Sequence, residues 1–254
     1  MKPNGTLYLV PNGLDVGTGE ADADLGERLP LGTLRRAAQL EHWVCENAKT
    51  TRAFLKRVEA VCALAQPLQK VAIIELPRPA KGRPDTAPFD AARLLGPALA
   101  GHDLGLLSDA GLPAVADPGA RLVAAAHDAG IRVVALPGAS SITLAVAASG
   151  LNGQSFAFIG YLPIATEERN ARIRDVEARS RRLAQTQVMI ETPYRNAALL
   201  DALLAQLHAA TMLSVSVGLT LAHESTRSES VERWRRRPGD LPADVPAVFS
   251  LLAR

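Results

Sequence analysis

The residues whose types and spacing could do chemistry lie in two short stretches. The first is Ser108-Asp109-Ala110-Gly111-Leu112-Pro113, continuing to Asp117-Pro118-Gly119; the second is Pro137-Gly138-Ala139-Ser140-Ser141. Asp109 and Asp117 supply carboxylates, and Gly111, Gly119 and Gly138 each permit close backbone approach or a positive φ. Ser140 and Ser141 open a helix-like segment, where unpaired N–H groups and hydroxyls bind anions. A ligand suited to this set carries a carboxylate or phosphate for the helix start, a diol or cation for an aspartate, and an apolar plane. S-adenosylmethionine has all of these in its α-carboxylate, ribose diol, sulfonium and adenine. A nucleotide fits nearly as well on spacing alone. Any one of these residues could serve only to turn a corner, but two such loops in one chain point to a ligand.

The elements that must position these loops can be read from periodicity. Leu104 to Leu107 and Ile131 to Leu136 are apolar runs that end in the two loops, and Ala120 to Ala129 between them has helical spacing. Strand, polar loop, helix and strand again is the pattern of a parallel sheet, in which ligands sit at the carboxyl ends of the strands. Upstream, Thr6 to Val10 reads as a first strand that breaks at Pro11-Asn12-Gly13, with further strands at His42 to Cys45 and Val71 to Leu76. Helices are predicted over Leu31 to Leu40, from the Glu46–Thr50 loop to about Leu64, and over Phe89 to Leu99. Phe54, Leu55, Val58, Val61 and Cys62 recur at helical spacing, which assigns Cys62 to the core. Pro77 to Pro88 is a Pro-rich loop carrying Arg78, Lys81 and Arg83, either a solvated connector or a flap over a substrate.

Beyond about residue 140 the composition changes. Phe156 to Tyr161, Gln187 to Glu191, Leu213 to Leu221 and Ala247 to Leu252 read as strands, with helices over Glu167 to Leu183 and to about Ala209. Fewer helices separate these strands, so a mixed or antiparallel sheet is expected. The fold class is therefore α/β with two domains. An N-terminal parallel-sheet domain (1–138) carries the ligand loops, and a C-terminal mixed-sheet domain (139–254) follows.

Composition narrows the function classes. A net charge of +2 is too small to demand nucleic acid as a partner. Residues 1–150 carry 15 basic and 15 acidic side chains and residues 151–254 carry 13 and 11, so the surplus lies in the second half. Gly17-Thr18-Gly19 lacks the third glycine and following helix of a dinucleotide fingerprint, and no P-loop pattern occurs. The two cysteines, Cys45 and Cys62, give neither a disulfide framework nor zinc spacing. Nothing argues for a metal. No apolar run approaches the ~20 residues that span a bilayer, and Tyr8 to Val10 ends at once in Pro11, unlike a signal peptide. A cytoplasmic protein with no membrane partner is expected.

The two loops together, with Gly130-Ile131-Arg132-Val133-Val134 leading into the second, resemble the tetrapyrrole methylase superfamily. Within it the chain is most similar to the ribosomal small-subunit RNA 2′-O-ribose methyltransferases. The resemblance runs from Leu7-Tyr8-Leu9-Val10-Pro11 through Glu191-Thr192-Pro193-Tyr194-Arg195 to the last strand. It implies two α/β domains, S-adenosylmethionine in the cleft between them, a homodimer, and structured ribosomal RNA as methyl acceptor. Residue by residue, it assigns the cofactor to Pro11 and Leu14, to Ser108, Asp109, Ala110, Gly111, Leu112 and Pro113, to Pro137, Gly138, Ser140 and Ser141, and to Leu219. Glu46 matches the acidic residue of an alanine-glutamate-aspartate-threonine-arginine motif, with Asn47 and Lys49 in place of its aspartate and arginine. Glu191, Pro193 and Arg195 match a second-domain motif in which Tyr194 stands where histidine is usual. Leu219, Thr220 and Glu224 match a third, in which Gly218 replaces an acidic residue and Leu221 a lysine. Asp244-Val245-Pro246 stands where the RNA-methylating branch has lysine-glycine-glutamate. The departures cluster on the substrate side.

A hydroxyl nucleophile must lose its proton, and a positioned base contributes about 10²–10⁴-fold. Glu46, Glu191 and Glu224 are the catalytic candidates, with His223 beside them; a salt bridge from Glu191 to Arg195 competes with that role. Alignment of nucleophile, methyl and sulfur could instead supply most of the acceleration. The arginines between 169 and 182 and Arg233-Trp234-Arg235-Arg236-Arg237 are the basic clusters, read either as solvated helix faces or as an RNA footprint with Trp234 as a stacking platform. Two other readings stand beside RNA methylation. One is methylation of a small planar molecule; the other is a non-catalytic protein that binds S-adenosylmethionine or RNA.

Overall fold

The computed structural model of the chain describes residues 3–15, 25–77 and 89–254. The expected loop at Arg78, Lys81 and Arg83, and the Gly17–Gly19 segment, lie outside the described residues. The described chain divides into two compact units, 3–15 with 25–140, and 141–254.

In the first unit five strands, β1 (Thr6–Val10), β2 (His42–Cys45), β3 (Ala72–Glu75), β4 (Leu104–Leu107) and β5 (Arg132–Ala135), form one parallel sheet in the order β3-β2-β4-β1-β5. The central strands read as unbroken apolar runs because both faces are covered. Alternate side chains, Leu7, Leu9, Val44, Leu104 and Leu106, pack beneath α3 (Ala91–Leu99) and α4 (Ala120–Asp128). Val10, Trp43, Cys45 and Leu107 pack on the opposite face, with α1 (Leu31–Ala38) and α2 (Ala48–Val61). Helix starts are set locally: Asn47 caps α2 by accepting from the Lys49 N–H, and Asp90 caps α3 through the Arg93 N–H. The expected core position of Cys62 is only partly realised. α2 ends at Val61, Cys62 is its half-buried C-terminal cap, and Val61 itself is exposed.

The second unit has a mixed sheet, as its sparse helices predict. β6 (Phe156–Gly160) pairs parallel with β7 (Thr186–Ile190). β10 (Ala247–Leu252), β8 (Met212–Val217) and β9 (Ser225–Ser230) continue it antiparallel, in the order β6-β7-β10-β8-β9. Ile142, Ala145 and Val146 of α5 (Ser141–Ser149) pack on Val188 and Val248. The other face carries α6 (Thr166–Leu183), α7 (Asn196–Gln206) and α8 (Val231–Arg236) over Met189, Leu213, Val215 and Phe249. Buried Glu177 of α6 is satisfied by the His208 N–H at 2.8 Å and the Thr211 hydroxyl.

Three expectations change here. β8 stops at Val217 rather than running to Leu221, because Gly218 directly after it turns to φ +60° and Thr220 to φ +70°, which breaks the extended chain. α7 ends at Gln206 rather than near Ala209. β9 and α8 were not expected as elements at all.

Candidate functional site

All five strands of the first unit point the same way, so the loops after β1, β2, β4 and β5 share one edge. β1 and β4 are neighbours whose continuations diverge: after β1 the chain passes to β2, and after β4 to β5 on the far side of β1. Such a switch point is where open α/β sheets hold ligands. Asn12, a residue the sequence reading did not single out, ties the two loops together. It is buried, its backbone N–H donates to Gly111 O at 2.8 Å, and its side-chain amide donates to Asp109 O at 2.9 Å and Ser108 O at 3.3 Å. Its own Oδ1 accepts from the Gly13 N–H at 2.8 Å. The sequence signal was present: asparagine in a Pro-Asn-Gly turn bonds to nearby backbone. Asp15, fully buried in the loop after β1, is clamped by Arg28 and by Arg57 of α2, the latter at 2.8 Å.

On this edge the β2 and β4 loops bring three carboxylates together. Glu46 Oε1 accepts from the Asp109 N–H at 3.3 Å, and Thr50 of α2, also unforeseen, donates to Asp109 Oδ1 at 2.6 Å. Asp117 feels both neighbours. Burial first, then the charges of Glu46 and Asp109, push its carboxyl up to about 7. A concentration of negative charge in a part-buried loop suits a cation or a diol. Ser108 adds a buried hydroxyl with no hydrogen-bond partner among the described residues, an orphaned donor of the kind a ligand satisfies.

The assigned residues fall as follows. Leu14 lies against Gly111, whose φ of +66° favours glycine at the turn; a Cβ there would stand 3.2 Å from Leu14 Cδ2 and 3.7 Å from Ala139 O. The loops carrying Leu14, Gly111 and Ala139 therefore converge, with Ala110, Leu112 and Pro113 on the same β4 loop. Gly138 is the close approach that the sequence suggests, but what approaches is protein: the Pro11 ring fills the space, its Cβ 2.6 Å from where a Cβ would be. Pro137 is held through its carbonyl by the Thr33 hydroxyl at 2.6 Å. Ser140 ends this unit, and Ser141 is the first residue of α5.

Glu191, Glu224 and Leu219 lie in the second unit. Glu191 is buried, with Oε2 3.0 Å from Arg195 and Oε1 accepting from the Thr192 N–H at 2.8 Å. Glu224 accepts from the Thr220 N–H at 2.6 Å and so fixes the residue with the left-handed backbone. Leu219 packs beside Ile142, Val188 and Val248. Of the three catalytic candidates, Glu46 alone shares an edge with Asp109 and the cofactor-assigned loops of the first unit.

The basic clusters resolve into detail. Arg172 pairs with Asp175 at 2.5 Å and Arg174 donates to Gln206 at 2.6 Å. Arg235 bonds the Leu204 and Leu207 carbonyls at the end of α7, each at 2.7 Å. Trp234 is not a stacking platform: it is 2% exposed, and its indole N–H donates to Leu213 O at 2.9 Å. Among the described residues no group of His, Cys, Asp and Glu is placed to hold a metal ion, and no helix is long and apolar enough to cross a membrane.

A parallel-sheet unit with its loops at a switch point, followed by a mixed-sheet unit, defines a two-unit α/β protein. The family model described as Tetrapyrrole (Corrin/Porphyrin) Methylases matches residues 16–233, and the chain belongs to that family. Two relatives, from Mesorhizobium japonicum and Streptococcus pyogenes serotype M1, are both named Ribosomal RNA small subunit methyltransferase I. The first is 37% identical over 136 residues, covering 54% of this chain and 45% of the relative. The second is 33% identical over 202 residues, covering 76% and 58%. The chain thus spans about half the length of the curated relatives it matches. Among solved structures, uroporphyrin-III-C-methyltransferase from Thermus thermophilus is similar in fold, with a TM-score of 0.51 and 23% identity over 98% of this chain and 92% of that one. A conserved hypothetical protein from Aeropyrum pernix K1 gives 0.60 and 17% over 99% and 85%.

Proposed function

We propose that the chain is an S-adenosylmethionine-dependent methyltransferase whose acceptor is a ribose 2′-hydroxyl of ribosomal RNA, working in the cytoplasm as a homodimer. The observation that carries this reading is the strand-end edge of the first unit, where Glu46, Asp109 and Asp117 converge beside the tied β1 and β4 loops. Membership of the methylase family and the names of the relatives support it. When bound, S-adenosylmethionine supplies a methyl group on a positively charged sulfur. The residues at this edge suit such a ligand: the carboxylates favour its positive charge or accept from its ribose diol, and the Ser108 hydroxyl offers a donor. Asn12 and Thr50 hold this set rigid before the ligand arrives, which reduces the cost of ordering it on binding.

Incubation with methyl-labelled S-adenosylmethionine and small ribosomal subunits that lack the modification tests the reading. Label should enter RNA and survive alkaline hydrolysis in a dinucleotide, because a 2′-O-methyl group blocks cleavage of the next phosphodiester. Light scattering at twice the chain mass checks the homodimer. Label in a small planar molecule from a metabolite extract, and none in RNA, would establish the second reading, which Gly218 and Leu221 favour as replacements for charged residues. Cofactor binding with no transfer to either would leave a binding protein and overturn the enzyme.

A further inference from the structure

The second unit holds a cavity of about 280 Å³ that the proposed chemistry does not use. Val215 and Val217 of β8, Arg227 of β9, Trp234 of α8 and the segment from Gly239 to Pro242 line it. β9 places Arg227 there by register. It pairs with Val215, whose side chain belongs to the core face, so Arg227 lies on the helix side of the sheet with its side chain 25% exposed.

Arg227 is built in rather than loosely attached. Its guanidinium carbon stands 3.7 Å over the Trp234 ring, and its Nε donates to Glu229 Oε1 at 3.2 Å. One amino nitrogen is sealed from solvent with no hydrogen-bond partner among the described residues. The other faces Gly239, 3.4 Å from where a Cβ would be, and the missing side chain leaves that end of the fork open. Glu229 serves three arginines, Arg227, Arg233 at 4.0 Å and Arg237 at 3.9 Å, which hold its carboxyl below the usual range. With the exposed Asp240 at the rim the cluster has three cations against two anions. His223 and Ser225 complete the mouth with further polar groups. A guanidinium with spare donors, stacked on an indole and reachable from the cavity, recognises a compact oxyanion with several acceptor atoms.

We infer that this cavity receives a backbone phosphate of the RNA, a site that rests on the proposed acceptor being RNA. Arg227 donates to the phosphate oxygens, and the exposed Arg233 and Arg237 continue the path along the strand.

The test is filter binding of small-subunit RNA between 50 and 200 mM salt, with two variants. Arg227→Gln removes the charge; Gly239→Val keeps every charge but fills the open end of the fork. Each should weaken RNA binding about tenfold at 100 mM salt and lower the slope of log K against log salt by roughly 0.7–0.9, the loss of one phosphate contact. Affinity for S-adenosylmethionine should not change in either. If Arg227→Gln fails to fold, Gly239→Val decides. Failure of the parent protein to bind RNA would instead sink the proposed acceptor. Parent binding with both variants unchanged in affinity and slope would overturn the cavity assignment alone. Inorganic phosphate, titrated against tryptophan fluorescence, separates a free-anion site: a response lost in Arg227→Gln with RNA affinity intact would overturn the RNA contact.

Discussion

At Asp117, burial and two neighbouring carboxylates, Glu46 and Asp109, act in the same direction, and the side chain titrates near pH 7. In the unfolded chain it releases its proton near pH 4, so between these values the folded state holds a proton that the unfolded state has lost. Its contribution is therefore fully present below about pH 4 and is lost as pH rises through about 7. Because Asp117 is only part-buried, solvent screening reduces the effect to on the order of 1–2 kcal/mol. The Asp117→Asn variant should be no less stable than the parent at pH 4.5 and more stable at pH 8. Urea denaturation of both proteins at the two pH values measures the difference, and equal stabilities at pH 8 would show that the carboxyl is already solvated. The sequence marked Asp109 and Asp117 as strand-end carboxylates. What it could not convey is that Glu46, 63 and 71 residues away, joins them, because that convergence is a product of the β2–β4 pairing.

Legibility at the scale of elements follows burial. β1, β2 and β4 could be read directly, since strands covered on both faces are mainly apolar. β9, Ser-Thr-Arg-Ser-Glu-Ser, has no apolar residue and is an edge strand paired only with β8. Its stability comes from backbone pairing and from Arg227 lying on Trp234, which no periodicity announces. α8 is a single short turn-and-a-half beneath which that same Trp234 is buried, so a cluster that looks basic in sequence hides a core residue. At Gly138 the neighbour that makes the close approach is a protein ring. Since the Pro11 ring occupies its open side, Gly138→Ala must push the β5 loop away from the β1 loop, at a cost of about 1–3 kcal/mol. Pairing it with Pro11→Gly, which removes the ring, should recover part of that loss. A double-mutant cycle by thermal or urea unfolding checks this, and strict additivity would mean that the two loops do not press on each other.

The whole molecule comprises two units, each with its own apolar clusters: Leu7, Trp43 and Leu106 lie in those of the first, Met189, Trp234 and Phe249 in those of the second. Each surrounds its own sheet, so calorimetry can ask which unit a ligand stabilises. Most residues assigned to the cofactor belong to the first unit, where Asn12, Asp109 and Gly111 already fix the loops. S-adenosylmethionine at about 100-fold its Kd adds about 2.7 kcal/mol to whatever binds it, by mass action. For units of this size 1 kcal/mol moves the midpoint by roughly 2–8 °C, so the transition that includes the first unit should rise by about 5–20 °C. S-adenosylhomocysteine, which lacks the sulfonium charge, tests the three carboxylates separately: if they favour the cation, its shift should be the smaller and should change less when Asp109 is replaced by alanine. A scan in millimolar S-adenosylmethionine that leaves every transition where it was would remove the cofactor from this site, and equal responses to the two ligands would remove the carboxylates from its recognition.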